Sequence, residues 1–367
     1  MFLEANAKFK GEIIMKTNLI KEILLLGLLS FGWSVSFADN LPQGIGDAVV
    51  QKMMQVETPK EGPAAVSIVK DPTEVGDPVG NRGPTTVKFT LEAKEVLGVL
   101  DAATKTTFKY WTFNGTVPGP MLRARVGDTV EITLKNNKNS DMIHNVDLHA
   151  VWGQGGGAAL TNVAPGEEKT FTFKATSPGL FVYHCATPVI PQHISSGMYG
   201  MILIEPAGGL PKVDKEFYVM QGEIYTEGEG TDKEFSMHHM MDEDPQYVVF
   251  NGSAAALAGH PMKAKVGDNV RIFFGVGGPN LTSSFHIIGA IFDKVWHEGS
   301  IESTPLTNVQ TTMVPTAGST IVEMKLRVPA KFILVDHSLT RLQKGAVAIL
   351  QAEGPDQPEL FHAGKAK

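Results

Sequence analysis

From Thr86 onward, apolar and polar residues alternate in short runs. Val87-Lys88-Phe89-Thr90-Leu91-Glu92-Ala93 is followed by Tyr110-Trp111-Thr112-Phe113 and then by Thr129-Val130-Glu131-Ile132-Thr133-Leu134. A period of two is that of a strand with one buried face. Gly, Pro, Asn or Asp bounds each run, and these residues close strands with turns. Many short strands with frequent turn signals predict an all-β chain of the sandwich type. The stretch before Thr86 is different. Asp39 to Met54 predicts a short helix, and Glu57 to Pro84, rich in Pro, Gly, Asp and Val, predicts an extended arm.

The β pattern repeats. Phe113-Asn114-Gly115 precedes Val126-Gly127-Asp128, and Phe250-Asn251-Gly252 precedes Val266-Gly267-Asp268, with the two triplets 140 residues apart. That distance is about one domain and too long for a solenoid. Each copy carries a histidine after its central strands, His144 and His286. Each ends in a strand with a second histidine, Val182-Tyr183-His184-Cys185 and Leu334-Val335-Asp336-His337-Ser338. The organisation expected is an arm over 39–85, one sandwich over 86–206, a second over 212–352 and a polar tail over 353–367. Glu205 to Lys215 reads as the linker, and the polar stretch Tyr225 to Asp244 as a surface loop within the second sandwich.

Residues 1–38 read as a signal peptide. Met15-Lys16 and Lys21 give a positive start, Ile23 to Val35 is an apolar run of 13, and Ser36-Phe37-Ala38 offers small residues for cleavage. Thirteen residues are few for a bilayer, so cleavage is favoured over a retained anchor. Removal takes away four Lys and three Glu, leaving 28 basic and 36 acidic residues and a net charge of −8. Such a surface argues against nucleic acid as a partner. Cys185 is the only cysteine. That excludes an internal disulfide, a lipoprotein cysteine and a Cys-x-x-Cys-His haem site. In an oxidising compartment a lone thiol is a liability unless a metal holds it.

Cys185 heads the densest chemistry in the chain. Seven residues separate it from His193, and four separate His193 from Met198. Thiolate, imidazole and thioether on a loop after a strand supply three of the four ligands of a type 1 copper site. Alone, the Cys or the Met would read as core and either His as a satisfied polar group; the joint spacing is far more specific. Parity then sorts the neighbours. Adjacent strand residues face opposite ways, so His184 and Cys185 diverge. His144 lies an odd number of residues from Asp147 and His149, which share a face. One set is therefore His144, Cys185, His193 and Met198, complete for type 1 copper. The other is Asp147, His149 and His184, an imidazole site with a carboxylate close by and a third imidazole missing. His286 and His337 are both candidates for it. The two sets are joined through one peptide unit, about 3.8 Å between Cα atoms, a ready electron path. His238-His239, His260, His297 and His362 have no such pattern and read as structural or solvated.

At this level the chain resembles the copper-containing nitrite reductases. His-Asn-Val-Asp-Leu-His (144–149), His-Cys (184–185), His-Ile-Ser-Ser-Gly-Met (193–198), Ser-Phe-His-Ile-Ile-Gly (284–289) and Val-Asp-His-Ser (335–338) match that family's motifs in order and approximate spacing. The resemblance covers roughly Thr86 to Gln351, and the Cys185–His193 gap is similar to that of the subgroup with the shorter ligand loop. It implies two tandem cupredoxin-like Greek-key β-sandwich domains. It implies type 1 copper on His144, Cys185, His193 and Met198, and type 2 copper on His149, His184 and His337, with His337 given by a neighbouring subunit of a homotrimer. Asp147 and His286 become the proton-delivery residues, and Ile288 shapes the nitrite pocket. The implied reaction is the one-electron, two-proton reduction of nitrite to nitric oxide and water, as in denitrification. The electron comes from a small redox donor, a cytochrome c or a cupredoxin. Some members of the subgroup are lipid-anchored; without the anchoring cysteine, a soluble periplasmic protein is expected.

Two other classes compete. A two-domain multicopper oxidase needs several His-x-His pairs for its trinuclear cluster, and this sequence has none. A type 1 copper electron-transfer protein with a decayed second domain accounts for Cys185 but leaves Asp147, His149, His184 and His337 without purpose.

Overall fold

The computed structural model describes residues 65–364. The expected signal peptide, the expected helix over 39–54 and the start of the arm lie outside the described residues. All strands fall within one compact unit, Ala48–Phe361; of the other unit, Met1–Asp47 with His362–Lys367, only 362–364 are described, without regular structure. No helix among the described residues is long and apolar enough to cross a membrane.

The first eight strands are β1 Thr86–Asp101, β2 Thr106–Phe113, β3 Leu122–Arg125, β4 Thr129–Asn136, β5 Asp147–Leu148, β6 Glu168–Lys174, β7 Gly179–His184 and β8 Tyr199–Glu205. Then come β9 Lys215–Ile224, β10 Thr226–Glu227, β11 Asp232–Phe235, β12 Tyr247–Phe250, β13 Met262–Lys265 and β14 Asn269–Val276. The chain ends with β15 Ser283–Ile288, β16 Lys294–His297, β17 Thr311–Val314, β18 Ser319–Lys325, β19 Ala330–Asp336 and β20 Val347–Glu353. Sheets ordered β10-β11-β2-β1-β4-β6 and β3-β8-β7-β5 face each other in the first sandwich; β12-β9-β14-β18-β16 and β13-β20-β19-β15-β17 do so in the second.

Alternation decides which side chains go inward. On β4, Val130, Ile132 and Leu134 are buried while the residues between them are partly exposed. They join Leu91, Ala93, Phe113, Tyr183, Cys185 and Met198 in the first core. The second core is built around Phe274, Phe285 and Phe292, with Phe274 and Phe285 stacked at 3.9 Å. Each such ring adds about 1.5–3 kcal/mol on burial.

The repeat in sequence is a repeat in backbone. Asn114 and Gly115 have φ of 60° and 80°, and Asn251 and Gly252 have φ of 52° and 84°. Two successive positive φ values make the Asn-Gly tight turn, which reverses each chain at the same place. In each Val-Gly-Asp, the aspartate accepts the N–H three residues back: Arg125 to Asp128 at 2.9 Å and Lys265 to Asp268 at 2.9 Å.

A third apolar cluster lies between the sandwiches. Leu180, Val182, Tyr199 and Met201 of the first meet Tyr218, Met220, Phe273 and Ile321 of the second. Tyr110 donates to the Gly252 carbonyl at 2.7 Å, and Arg123 spans from Glu205 to Glu216. The described part of the arm is threaded into this assembly: Ile68 is fully buried, and Val66 and Val69 bridge to Gly98 and Val117.

The stretch Tyr225 to Asp244 is not a surface loop of the second sandwich. It forms β10, β11 and a short helix, Met237–Met241, and β11 pairs with β2 to extend the first sandwich's sheet. The open edge of β2 supplies unpaired backbone groups that a polar strand can satisfy, and Tyr225, Thr226, Ser236 and Met240 of the stretch are buried. The second sandwich also runs slightly past its expected end, since β20 continues to Glu353.

Candidate metal centres

Strand β7 carries the two donor sets on its two faces. Leu180 and Val182 point into the cluster between the sandwiches while Tyr183 points into the first core. His184 follows Val182's side, and Cys185, one step past the strand, follows Tyr183's. Cys185 accordingly packs in the first core, and His184 groups with Asp147 and His149. Asp147 and His184 are register partners across β5 and β7.

On the inner side, Cys185, His144 and His193 are fully buried. Cys185 Sγ lies 3.3 Å from His193 Nδ1 and 3.9 Å from His144 Nδ1, and the two Nδ1 atoms are 3.3 Å apart. His193 is carried by the short helix Ile190–Ser195, with Pro191 in its first turn. Met198 is fully buried in the same core, and its carbonyl accepts the Cys185 N–H at 3.0 Å. Burial pushes both imidazoles down to about 4, His193 being lowered further by His144, so both rings are neutral at pH 7 with lone pairs free. The Nε2 atoms of both rings are buried without a hydrogen bond. Burial pushes the Cys185 thiol up, while Asn145 and Thr187 pull it back.

These are the marks of a site built for a soft cation. A sulfur and two ring nitrogens converge in a buried core, and a cation would exchange the thiol proton for a metal–sulfur bond. Around them lie two residues that sequence reasoning missed. The Trp111 ring packs on His193 at 4.6 Å between centroids, and Glu95 Oε1 stands 3.9 Å from His144 Nε2. Glu95 and Trp111 are register partners on β1 and β2. Nothing in the sequence marks them, because their place follows from strand pairing.

On the outer side, His149 Nε2 and His184 Nε2 face each other at 3.1 Å, and Asp147 completes a cluster whose ligand atoms all lie within 4.8 Å. His184 Nδ1 is 3.0 Å from its neighbour's carbonyl, Cys185 O. A carbonyl only accepts, so Nδ1 carries the hydrogen and Nε2 offers its lone pair to the site. Burial lowers the pKa of His149, with His184 adding to the effect and Asp147 opposing it.

His286 and His337 are elsewhere. On β15 and β19, Phe285, Ile287 and Leu334 face the second core, so His286, Ile288 and His337 face outward. The two rings lie 5.2 Å apart, with His286 Nδ1 held 2.6 Å from the Gln310 carbonyl. Ile288 and Met313 are exposed beside them, at 42% and 68%. The sheet that meets the first sandwich is the other one, β12-β9-β14-β18-β16. Packed sheets stand about 10 Å apart, so a whole sandwich separates His337 from His149 within one chain. Among the described residues, neither His286 nor His337 joins either donor set. His238 and His239 pair with Asp242 and Asp244.

The fold and the two donor sets define a two-domain cupredoxin-type copper protein. Residues 99–208 match the multicopper oxidase family profile. The chain is 49% identical over 304 residues to a copper-containing nitrite reductase of Neisseria meningitidis serogroup A, covering 82% of this chain and 78% of the relative. It is 33% identical over 338 residues to that of Alcaligenes faecalis, covering 86% and 89%. The solved copper nitrite reductase of Nitrosomonas europaea superposes with a TM-score of 0.67 at 36% identity, covering 77% of this chain and 98% of that one. This chain belongs to the copper-containing nitrite reductase family.

Proposed function

We propose that this protein reduces nitrite to nitric oxide and water, taking one electron and two protons per turnover. The observation that carries the reading is the pair of donor sets on opposite faces of one strand end, joined by the His184–Cys185 peptide. His144, Cys185, His193 and Met198 would hold type 1 copper. His149, His184 and His337 would hold type 2 copper. When bound, the first copper supplies reversible one-electron redox chemistry and the second a Lewis-acid seat for nitrite oxygens.

The residues supply the rest. Cys185 and His184 provide a covalent route between the two donor sets. Asp147 stands within the second set, placed to hydrogen-bond nitrite and give a proton to the oxygen that leaves. His286 supplies or relays the second proton, and Ile288 shapes the pocket wall. Because His337 faces away from its own chain's His149, a site using both requires a second copy. A homotrimer closes that head-to-tail contact into a ring. Apolar exposure beside His286 and His337, and at Trp152, three residues after His149 and 86% exposed, suits such a covered face. The donor is a small redox protein, a cytochrome c or a cupredoxin, and the compartment is the periplasm.

The test is nitric oxide production, read with an electrode, from copper-loaded protein given nitrite and a reduced dye. Sustained production with two coppers per chain is expected. One copper per chain and no production would instead favour an electron carrier.

A further inference from the structure

Asp147 is held in an unusual way. Its side chain is half-buried, yet among the described residues no hydrogen bond reaches its carboxylate. A catalytic carboxylate is ordinarily fixed by donors, which use up its lone pairs. Here a wall does the fixing. A Cβ built on Gly156 would stand 1.8 Å from Asp147 Oδ1, 2.9 Å from its Cγ and 2.8 Å from the Leu148 carbonyl oxygen. No other residue leaves that volume free.

The wall is itself firmly placed. Gly155, Gly156 and Gly157 have φ of 59°, 55° and 109° in the turn Gln154–Leu160, a run of left-handed values that only glycine adopts easily. A Cβ on Gly157 would strike the Phe171 ring at 2.4 Å, so the ring lies flush against the turn. Thr161, fully buried, donates to the Gly157 carbonyl at 3.0 Å and accepts the Val146 N–H at 3.1 Å. The turn is thereby fastened to the segment that carries Asp147.

We propose that Gly156 is a positioning residue for Asp147: its bare Cα seats the carboxylate beside His149 and His184 while leaving both oxygens unengaged. The inference rests on the role given to Asp147 above. A steric seat fixes the carboxylate without consuming an acceptor site, so its hydrogen-bonding capacity is kept for whatever binds between the imidazoles.

The test compares Gly156→Ala with Gly155→Ala. Both place a Cβ at a similar positive φ, but at Gly155 it meets only the Ala158 Cβ at 3.5 Å. Crystal structures of the metal-free proteins should show the Asp147 carboxylate displaced by about 1 Å in Gly156→Ala and unmoved in Gly155→Ala; misplacement of that size is worth on the order of 10–10²-fold in rate. Turnover should fall by that factor in Gly156→Ala, with an altered pH profile, and stay within about twofold in Gly155→Ala. On an Asp147→Asn background, Gly156→Ala should cost less than about twofold, because both act through one group. An unmoved carboxylate in Gly156→Ala, or equal losses in the two alanine variants, would overturn the proposal. If Gly156→Ala does not fold, the metal-free crystal structure of Asp147→Asn decides: a side chain seated by packing against Gly156 keeps its place when its charge is removed, and one that swings away from the Gly156 Cα would overturn the proposal. Full activity in Asp147→Asn would remove Asp147 from the reaction, whereas the carboxylate displacement still decides the role of Gly156.

Discussion

Replacing Asp336 by alanine should destabilise the second sandwich and empty the metal site that His337 would complete. The carboxylate is fully buried. Oδ1 accepts from the Ser284 N–H at 3.1 Å and the Ser338 N–H at 3.0 Å; Oδ2 accepts from Gln221 Nε2 at 3.0 Å and from Arg341. His337 lies between Asp336 and Ser338 in the chain, and its own N–H donates to the Ser284 carbonyl at 2.8 Å. The aspartate thus ties the histidine's flanks to β15. Removing one partner of a buried ion pair costs about 3–5 kcal/mol. Arg341 keeps 19% exposure and can turn toward water, so the lower end applies. Gln221 is fully buried and cannot, which adds the desolvation of one unpaired amide, about 1–3 kcal/mol. Together these give about 4–6 kcal/mol for Asp336→Ala. Asp336→Asn keeps one acceptor oxygen and should lose about 1–2 kcal/mol. Urea unfolding of the metal-free protein measures both, and copper analysis should show the type 2 site depleted while the type 1 colour remains. A loss under about 1 kcal/mol in Asp336→Ala, with two coppers retained, would refute the reasoning.

Other outcomes follow from the same geometry. Asp147→Asn should keep both coppers and lose on the order of 10²–10⁴ in turnover, as expected for removal of a proton donor; unchanged turnover would exclude it. Met198→Gln should retain copper but move the type 1 absorption and potential, since the axial ligand tunes both; an unaltered spectrum would mean that Met198 is not a ligand. Asp128 is fully buried; burial alone would raise its pKa, but Arg82 and the N–H groups of Arg125 and Thr85 outweigh this and bring it to about 2, from 3.8. Its stabilisation, about 2 kcal/mol, is present above about pH 4 and lost as pH falls toward about 2. Wild type should therefore lose more stability than Asp128→Asn between about pH 5 and about pH 2.5, as read by urea midpoints; parallel curves would contradict this.

Much was legible without coordinates because it rests on local rules. Alternation of Val130, Ile132 and Leu134 requires a strand with one face inward. The repeated Phe-Asn-Gly requires the same tight turn twice, since few residues tolerate two successive positive φ values. Adjacency of His184 and Cys185 separates two donor sets, because neighbouring strand side chains diverge. Contacts that depend on which strands meet had no such signal. Glu95 and Trp111 reach the buried histidines only through the pairing of β1 with β2. The polar stretch after Tyr225 became a strand because an unpaired edge on another sandwich was there to receive it. Gly156 became the seat of Asp147 because the turn that follows folds back on it. Only the layering of four sheets shows that His337 faces away from His149, a separation of a whole sandwich that sequence spacing does not encode.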